Sequence, residues 1–567
     1  MILGVLAMVV ANAATLLGAR AMLSRIGTGR PAPDAVLFLV LRLLLISGAV
    51  IVAGLTRTLG PLGLGLAGAA ALAALVARGA HRNPPRLRPL PWSPWLSLLA
   101  AIIGLRLLLQ VWFFAPAYGD VLSYHLPKIA EWIRAGGFTR DFGPDPRSTF
   151  PAGFELIELW WTAFLHHDVL IEMAGLELLL LAGASVYALA REFGWSSSCA
   201  MAAAIAAVMI PGLHLQATAC MNDGAVVAWI AATAALTAAR VSPALILAAV
   251  ALGAGTKPTF AFALPGLLCF AVLSRRDPAA ASPGRLAPGI VSAGAMLVGS
   301  FWYVRNAIFF GNPIHPMGGS GMSSIAGLPL QRFGPSFGSL VDNVRSLLDL
   351  RVYDHLAPPS ASHLAISNWG VMSFAVGFPA LIYLARSEDR LRRLAVSFLV
   401  SLVCVWSLVV FDLFSARFVL FVPLVPALAA ARLIERHRIF LPIAALALVF
   451  QFATTFLPAE ISREAASRMA RQSWRERTAS PLPIEASAGR PIGYLSDYSG
   501  TPYWLYGPGF STPVVTLRSN TLEGLTGELK EHRIRVIYLG ELGDSKRRMM
   551  RDDERNGVLR SLGILVR

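Results

Sequence analysis

Charge is what this chain has least of. Asp, Glu, Lys and Arg make up 14% of its 567 residues, against about 25% in an ordinary soluble protein. Hydrophobic residues make up 55%, and the mean hydropathy is +0.60. Together these exclude a soluble enzyme with a single anchor and leave a polytopic membrane protein. Cysteine is scarce as well. Cys199, Cys220, Cys269 and Cys404 form no CxxC or Cys/His metal spacing, and three lie inside apolar runs, so neither a disulfide framework nor a zinc site is indicated. There is no Walker loop and no dinucleotide fingerprint, and nothing points to a bound nucleotide. The lack of an internal repeat counts against transporters built from duplicated halves. The formal net charge of +16 is explained by Arg gathered in cytoplasmic loops, not by nucleic acid.

Long apolar runs are what the chain does have. A span needs at least about 17 apolar residues. Such runs lie near 1–19, 35–56, 60–78, 94–115, 168–190, 198–213, 224–240, 286–303, 370–386, 395–412, 416–433 and 439–457. The first lacks a basic leader and is read as a retained span. Between Val241 and Ser274, the tip Gly253-Ala254-Gly255-Thr256-Lys257-Pro258 separates two short spans, because Gly and Pro end helices. The total is about fourteen spans. Under strict alternation, the loops carrying Arg20/Arg25/Arg30, Arg78 to Arg88, Arg191, Arg240, Arg275/Arg276, Arg386 to Arg393 and Arg432 to Arg438 all fall on one side, expected to be cytoplasmic. The other side receives outer loops 116–167 and 304–369, the Lys257 tip and everything after residue 456.

Polar chemistry gathers on that second side. Asp120, Tyr124, His125 and Lys128 fall within nine residues of a membrane exit. At helical spacing they reach one spot, where a carboxylate can accept a proton as general base. Residues 122–135 read as an interfacial amphipathic helix with Pro127 in its first turn, and a second such helix starts at Pro151. Asp223, at the mouth of a span, marks a site because an ionised group there is costly; the plainer reading is a helix N-cap by Asn222 or Asp223. Lys257 either snorkels to the headgroups or holds an anion. Arg305 and Arg417 stand at outer span mouths, where Arg is depleted, and a guanidinium fork grips phosphate bidentately. For Arg417 the plainer reading is a surface pair with Asp412. His166-His167-Asp168 is a helix-to-span corner, since adjacent histidines diverge too far to share one ion. Beyond a linker at 459–490, three short apolar strands at 491–495, 513–517 and 535–539 alternate with helices near 521–532 and 545–560, a small α/β domain.

In order along the chain, these features resemble the GT-C superfamily of membrane glycosyltransferases, in particular the family 39-like branch that includes protein O-mannosyltransferases and aminoarabinose transferases. The resemblance covers residues 94–457. It rests on Gly119-Asp120-Val121-Leu122-Ser123-Tyr124-His125-Leu126-Pro127, Phe150-Pro151-Ala152-Gly153, Asn222-Asp223, Gly253 to Lys257, Arg305-Asn306 with Asn312-Pro313, and Arg417-Phe418 before Pro423 and Pro426. It implies an all-α polytopic fold with a small extracytoplasmic α/β domain. Residues 1–92 would be extra N-terminal helices, 93–457 the catalytic core, and 458–567 the linker and terminal domain. It implies an integral enzyme of a bacterial-type cytoplasmic membrane, active on the extracytoplasmic face. The enzyme would move a sugar with inversion from a polyprenyl-phosphate donor to a hydroxyl of a glycan, lipid or protein acceptor. Asp120 would be the catalytic base, and Lys128, Lys257, Arg305 and Arg417 would hold the lipid phosphate, with Tyr124, His125 and Asp223 also lining the substrate site. Many members pair two acids in the first loop; here Gly119 precedes a lone Asp120, so a divalent metal is not supported and no cofactor is assigned. The rival readings are an O-antigen-ligase-like transferase and a transporter or flippase of polyprenyl-linked glycans. A transporter is disfavoured by the position of the ionisable residues at span mouths rather than mid-span.

Overall fold

A computed structural model describes residues 2–80, 94–116, 118–140, 145–274, 286–317, 367–408, 415–456, 490–497, 500, 502–540 and 542–566. Most of the outer loop 304–369, the linker through residue 489 and Asp412 lie outside the described residues, and with them the expected Arg417–Asp412 pair.

Helices dominate the chain, and many begin on proline. Pro31, Pro61, Pro211 and Pro243 each occupy the first turn of a helix, where the missing N–H costs nothing and the fixed φ is already helical. Among the described residues, the α-helices that precede the C-terminal sheet are, in chain order, α1 Ile2–Ile26, α2 Pro31–Leu55, α3 Pro61–Ala77, α4 Pro94–Phe113, α5 Leu126–Ala135, α6 Gly153–Ala163, α7 Met173–Glu192, α8 Ser197–Val208, α9 Pro211–Gln216, α10 Asn222–Ala238, α11 Pro243–Thr256, α12 Leu264–Ser274, α13 Leu286–Phe310, α14 Phe378–Leu384, α15 Asp389–Leu408, α16 Leu424–Arg436 and α17 Leu441–Phe456. Every expected span has a helix. By length and composition, among the described residues, Ile2–Ile26, Pro31–Leu55, Pro94–Phe113, Asp168–Glu192 and Leu286–Phe310 are long and apolar enough to cross a membrane. Two expected spans are broken. The run at 198–213 stops at Val208 because Pro211 starts a new helix, and the run at 416–433 opens as a 3-10 turn, Ser415–Val419, before α16.

The core is organised around α10, whose residues are buried from Asn222 to Thr237. The basic loops meet at one end of the bundle. Arg30 pairs with Glu192 at 2.8 Å, Arg432 with Glu388 at 2.7 Å, and Arg393 donates to the Leu273 carbonyl at 3.0 Å. The opposite end holds the helices of loop 116–167. The expected amphipathic pair is present as α5 and α6, but it is sunk into the protein: Trp132, Trp160 and Lys128 are buried.

The C-terminal strands are β1 Ile492–Leu495, β2 Val514–Leu517, β3 Val536–Leu539 and β4 Leu565–Val566, all parallel in the order β2-β1-β3-β4. The helices α18 Leu522–Glu531, α19 Asp544–Asn556 and α20 Val558–Ser561 connect them. The connection between β1 and β2 packs against α5, and in it the Tyr503 hydroxyl donates to Asp168 Oδ2 at 2.8 Å.

Candidate active site

Pro127 sets the geometry of the first outer loop. It has no N–H to give to the carbonyl four residues back, and the turn before it widens into a π-helix, Val121–His125, in which the Leu126 N–H donates to the Val121 carbonyl. A regular helix would put Asp120, Tyr124, His125 and Lys128 on one spot. After the π turn they enter two adjoining groups of contacts, joined where the Tyr124 and His125 rings lie 4.2 Å apart.

In the first group, Asp120 stands between two arginines. Its Oδ1 accepts from Arg147 Nη1 at 3.1 Å, and its Oδ2 accepts from Arg417 Nη1 and Nη2, each at 3.1 Å. Arg147 is braced by Asp145 through Nε at 3.0 Å and Nη2 at 2.7 Å, and its guanidinium lies 4.5 Å from the Tyr124 ring centre. Arg417 Nε approaches Asp223 Oδ2 at 3.4 Å, and Asp223 also binds Lys257 Nζ. Three carboxylates therefore alternate with three cations: Asp145, Arg147, Asp120, Arg417, Asp223, Lys257. Asp120 is the most exposed carboxylate of the three, with 19% of its side chain accessible. Asp120 lies outside the spans, and burial alone would raise its pKa. Arg417 and Arg147 outweigh that and hold it at about 2.

Asp223 and Lys257 are structurally more specific than their plainer readings. The N-cap of α10 is Met221, with no side-chain cap; the Gly224 N–H is taken by Gln216 Oε1 at 2.6 Å. Asp223 is thereby left to the ion pairs. Lys257 does not snorkel: it is buried on Asp223, with Phe418 beneath it at 5.2 Å. Close packing of the Gly-rich tip keeps it there. A Cβ on Gly255 would stand 2.6 Å from the Gly299 Cα of α13, so backbone meets backbone behind the lysine.

His125 and Lys128 form the second group, on Glu155 of α6. Glu155 Oε1 accepts from His125 Nδ1 at 2.8 Å and pairs with Lys128 Nζ at 2.5 Å, and all three side chains are at most 1% exposed. Burial would raise Glu155, but Lys128 and His125 bring it down to about 2. One turn away, Glu158 is also fully buried; burial and the Glu155 charge push its carboxyl well above the ordinary value. Arg305 is separate again. It donates to the carbonyls of Thr139 at 3.3 Å and Arg140 at 3.1 Å, tying α13 to the outer loop, while Asn306 holds the Thr149 carbonyl at 2.8 Å.

Of the sequence-predicted residues, Asp120, Tyr124, Asp223, Lys257 and Arg417 come together, and His125 adjoins them through its ring, 4.2 Å from that of Tyr124, while bonding with Lys128 to Glu155; Arg305 bonds to the carbonyls of Thr139 and Arg140 instead. Sequence reasoning missed Asp145, Arg147, Glu155 and Glu158. The signal for Arg147 was the one already applied to Arg305 and Arg417, an arginine in an Arg-poor outer loop. For Glu155 and Glu158 it was two acids three residues apart in an apolar, Trp-rich helix. Among the described residues, no three His, Cys, Asp or Glu side chains converge to hold a metal ion. The oxygens of Asp120 point at guanidinium groups, a poor fit to a cation.

The fold and this cluster define a polytopic helical membrane protein with an ion-paired polar mouth at one end of its bundle. Its architecture is that of ArnT from Cupriavidus metallidurans, seen in a crystal structure bound to undecaprenyl phosphate: the TM-score is 0.51 at 13% identity, over 80% of this chain and 90% of that one. The polytopic helical fold with a small C-terminal α/β unit expected from the sequence is thus the fold found. An Archaeoglobus fulgidus oligosaccharyltransferase tethered to an acceptor peptide aligns at a TM-score of 0.33 and 13% identity, over 74% of this chain and 63% of that one. No protein-family model matches the chain, and no curated protein does.

Proposed function

We propose that the protein is a membrane glycosyltransferase that moves a sugar from a polyprenyl-phosphate donor to an acceptor hydroxyl on the extracytoplasmic face. The observation that carries this reading is the alternating chain from Asp145 to Lys257, which sets one accessible carboxylate between two phosphate-gripping guanidinium groups on a fold shared with a protein solved with undecaprenyl phosphate.

A base with a pKa near 2 is too weak to take a proton from an alcohol at neutral pH. The same clamp supplies the remedy. The six residues are formally neutral, so a donor phosphate has to compete with a carboxylate for Arg417 and Arg147. As the phosphate takes those guanidinium groups, Asp120 loses the charges that depress it and becomes a stronger base beside the bound donor. The acceptor oxygen then attacks the sugar C1, its proton passes to Asp120, and the C1–O bond breaks with its electron pair going to the phosphate. One displacement inverts the anomeric centre. Arg417, Arg147 and Lys257 stabilise the negative charge on the departing phosphate, and enclosure of the acceptor against the helices of loop 116–167 supplies proximity. Lys128 is enclosed with Glu155 and His125 and positions α5, rather than meeting the phosphate. Arg305 sets the outer loop against α13.

The test compares lipid-linked sugars and surface glycans, by mass spectrometry, in cells with and without the gene. The proposal expects a polyprenyl-phosphate sugar to accumulate and one glycan modification to vanish in the deletion strain. Identical lipid and glycan profiles would overturn it.

A further inference from the structure

The first three helices play no part in the transfer chemistry above, and they enclose a cavity of about 650 Å³. α1 and α3 run side by side and touch closely near their first turns. A Cβ on Gly65 would lie 2.7 Å from the Ala7 Cβ, and one on Gly68 would lie 2.7 Å from the Ala11 Cα. Such small residues let two helix backbones approach within a membrane. From there toward the basic end, the space between α1, α2 and α3 is lined by Ala14, Gly18, Leu45, Ala71 and Leu75. The small side chains of Ala14, Gly18 and Ala71 leave room between the helices, and Leu45 and Leu75 give it apolar walls.

The end of this cavity is charged. Arg20 and Arg25 from α1 and Arg78 after α3 line it. Among the described residues none of the three pairs with a carboxylate, and the Arg20 Nε is buried with no hydrogen-bond partner. Elsewhere at this end some arginines do meet carboxylates, as Arg30 meets Glu192 and Arg432 meets Glu388. An apolar slot ending in three unpaired guanidinium groups at the water boundary is complementary to one class of ligand, a lipid with an acyl chain and an anionic phosphate headgroup.

We infer that the N-terminal helices form a binding site for an anionic phospholipid, with one acyl chain between α1, α2 and α3 and its phosphate held by Arg20, Arg25 and Arg78. The site lies at the opposite end of the bundle from Asp120, and it does not depend on the transfer reaction. It also gives the extra helices a role, anchoring the bundle to a charged leaflet.

The test uses the full chain, purified in detergent, delipidated and titrated separately with palmitoyl-oleoyl phosphatidylglycerol and palmitoyl-oleoyl phosphatidylcholine. Bound lipid is read by native mass spectrometry. The wild type is expected to bind phosphatidylglycerol at least tenfold more tightly. The triple variant Arg20→Ala, Arg25→Ala, Arg78→Ala is expected to lose that preference. Ala71 lines the cavity and is exposed, so Ala71→Phe fills the slot without displacing packed core and is expected to lower binding of both lipids. Equal wild-type affinity for the two lipids, a preference that survives in the arginine variant, or undiminished binding in Ala71→Phe would each overturn the inference. If the arginine variant does not fold, the wild-type comparison and Ala71→Phe decide.

Discussion

At the scale of single residues, the protein shifts two buried carboxyls three positions apart in opposite directions. Burial would raise Glu155, but Lys128 and His125 hold it at about 2, whereas burial and the Glu155 charge push Glu158 well above the ordinary value. Glu155→Gln strands the Lys128 charge in the core, and the loss of stability is expected to be about 3–5 kcal/mol. Glu158→Gln replaces a protonated carboxyl by a near-isostere. The unfolded chain releases the Glu158 proton above about pH 4.3 while the folded chain retains it, so wild-type stability falls as pH rises and the Gln variant is spared that fall. Thermal unfolding in detergent should give matching midpoints for Glu158→Gln and wild type near pH 4, with the variant higher at pH 8. The Asp120 clamp makes a kinetic prediction of the same kind. In the free enzyme the carboxylate stays ionised down to about pH 2, and donor phosphate lifts its pKa toward the ordinary value of about 3.9. The acid limb of kcat, which reports the complex, should therefore lie at higher pH than the acid limb of kcat/KM, which reports free enzyme. Coincident limbs would contradict the exchange of phosphate for carboxylate.

At the scale of elements, one turn decides how the site is divided. Pro127 was legible as a helix-start residue, but the π turn that relieves it was not, since a hydropathy pattern carries no trace of an i→i+5 bond. The same limit hid the partners of Lys128. Its position in α5 reads as a polar face with Glu131 and Arg134, whereas α6 brings Glu155 against it from 27 residues away in sequence. Spans, basic loops and C-terminal strands were legible because period and composition encode them. The convergence of Asp120, Asp223, Lys257 and Arg417 was readable only as a shared side. Arg147 carried the outer-loop arginine signal, but its pairing with Asp120 was not legible because it depends on the 3-10 turn Pro146–Thr149, capped by the Asp145 side chain. Docking of the C-terminal unit rests on a comparably local contact. The Tyr503 hydroxyl and Asp168 are both buried, and a hydrogen bond to a charged group contributes about 1.5–3 kcal/mol. Tyr503→Phe should raise hydrogen exchange in 502–510 and along α5 while leaving α10 unchanged. Equal protection in both proteins would mean that this bond does not seat the unit.

At the scale of the whole molecule, asymmetry is the organising feature. One end is closed by short basic loops and their ion pairs, and the other carries α5, α6, the Asp120 cluster and the parallel sheet. The proposed orientation puts the second end outside the cell. In a background without native cysteines, Gly527→Cys in the C-terminal unit should react with a membrane-impermeant maleimide added to intact spheroplasts, and Ser24→Cys should react only after permeabilisation; both positions are exposed. The reverse pattern would invert the orientation. The central claim is that the Asp120 carboxylate, freed from Arg147 and Arg417 by the donor phosphate, takes the acceptor's proton. It is tested most directly by single-turnover transfer from a labelled polyprenyl-phosphate sugar in proteoliposomes, comparing wild type with Asp120→Asn at saturating donor. The account predicts a loss of about 100-fold or more in transfer rate, with donor binding retained. A rate within a few-fold of wild type would contradict it.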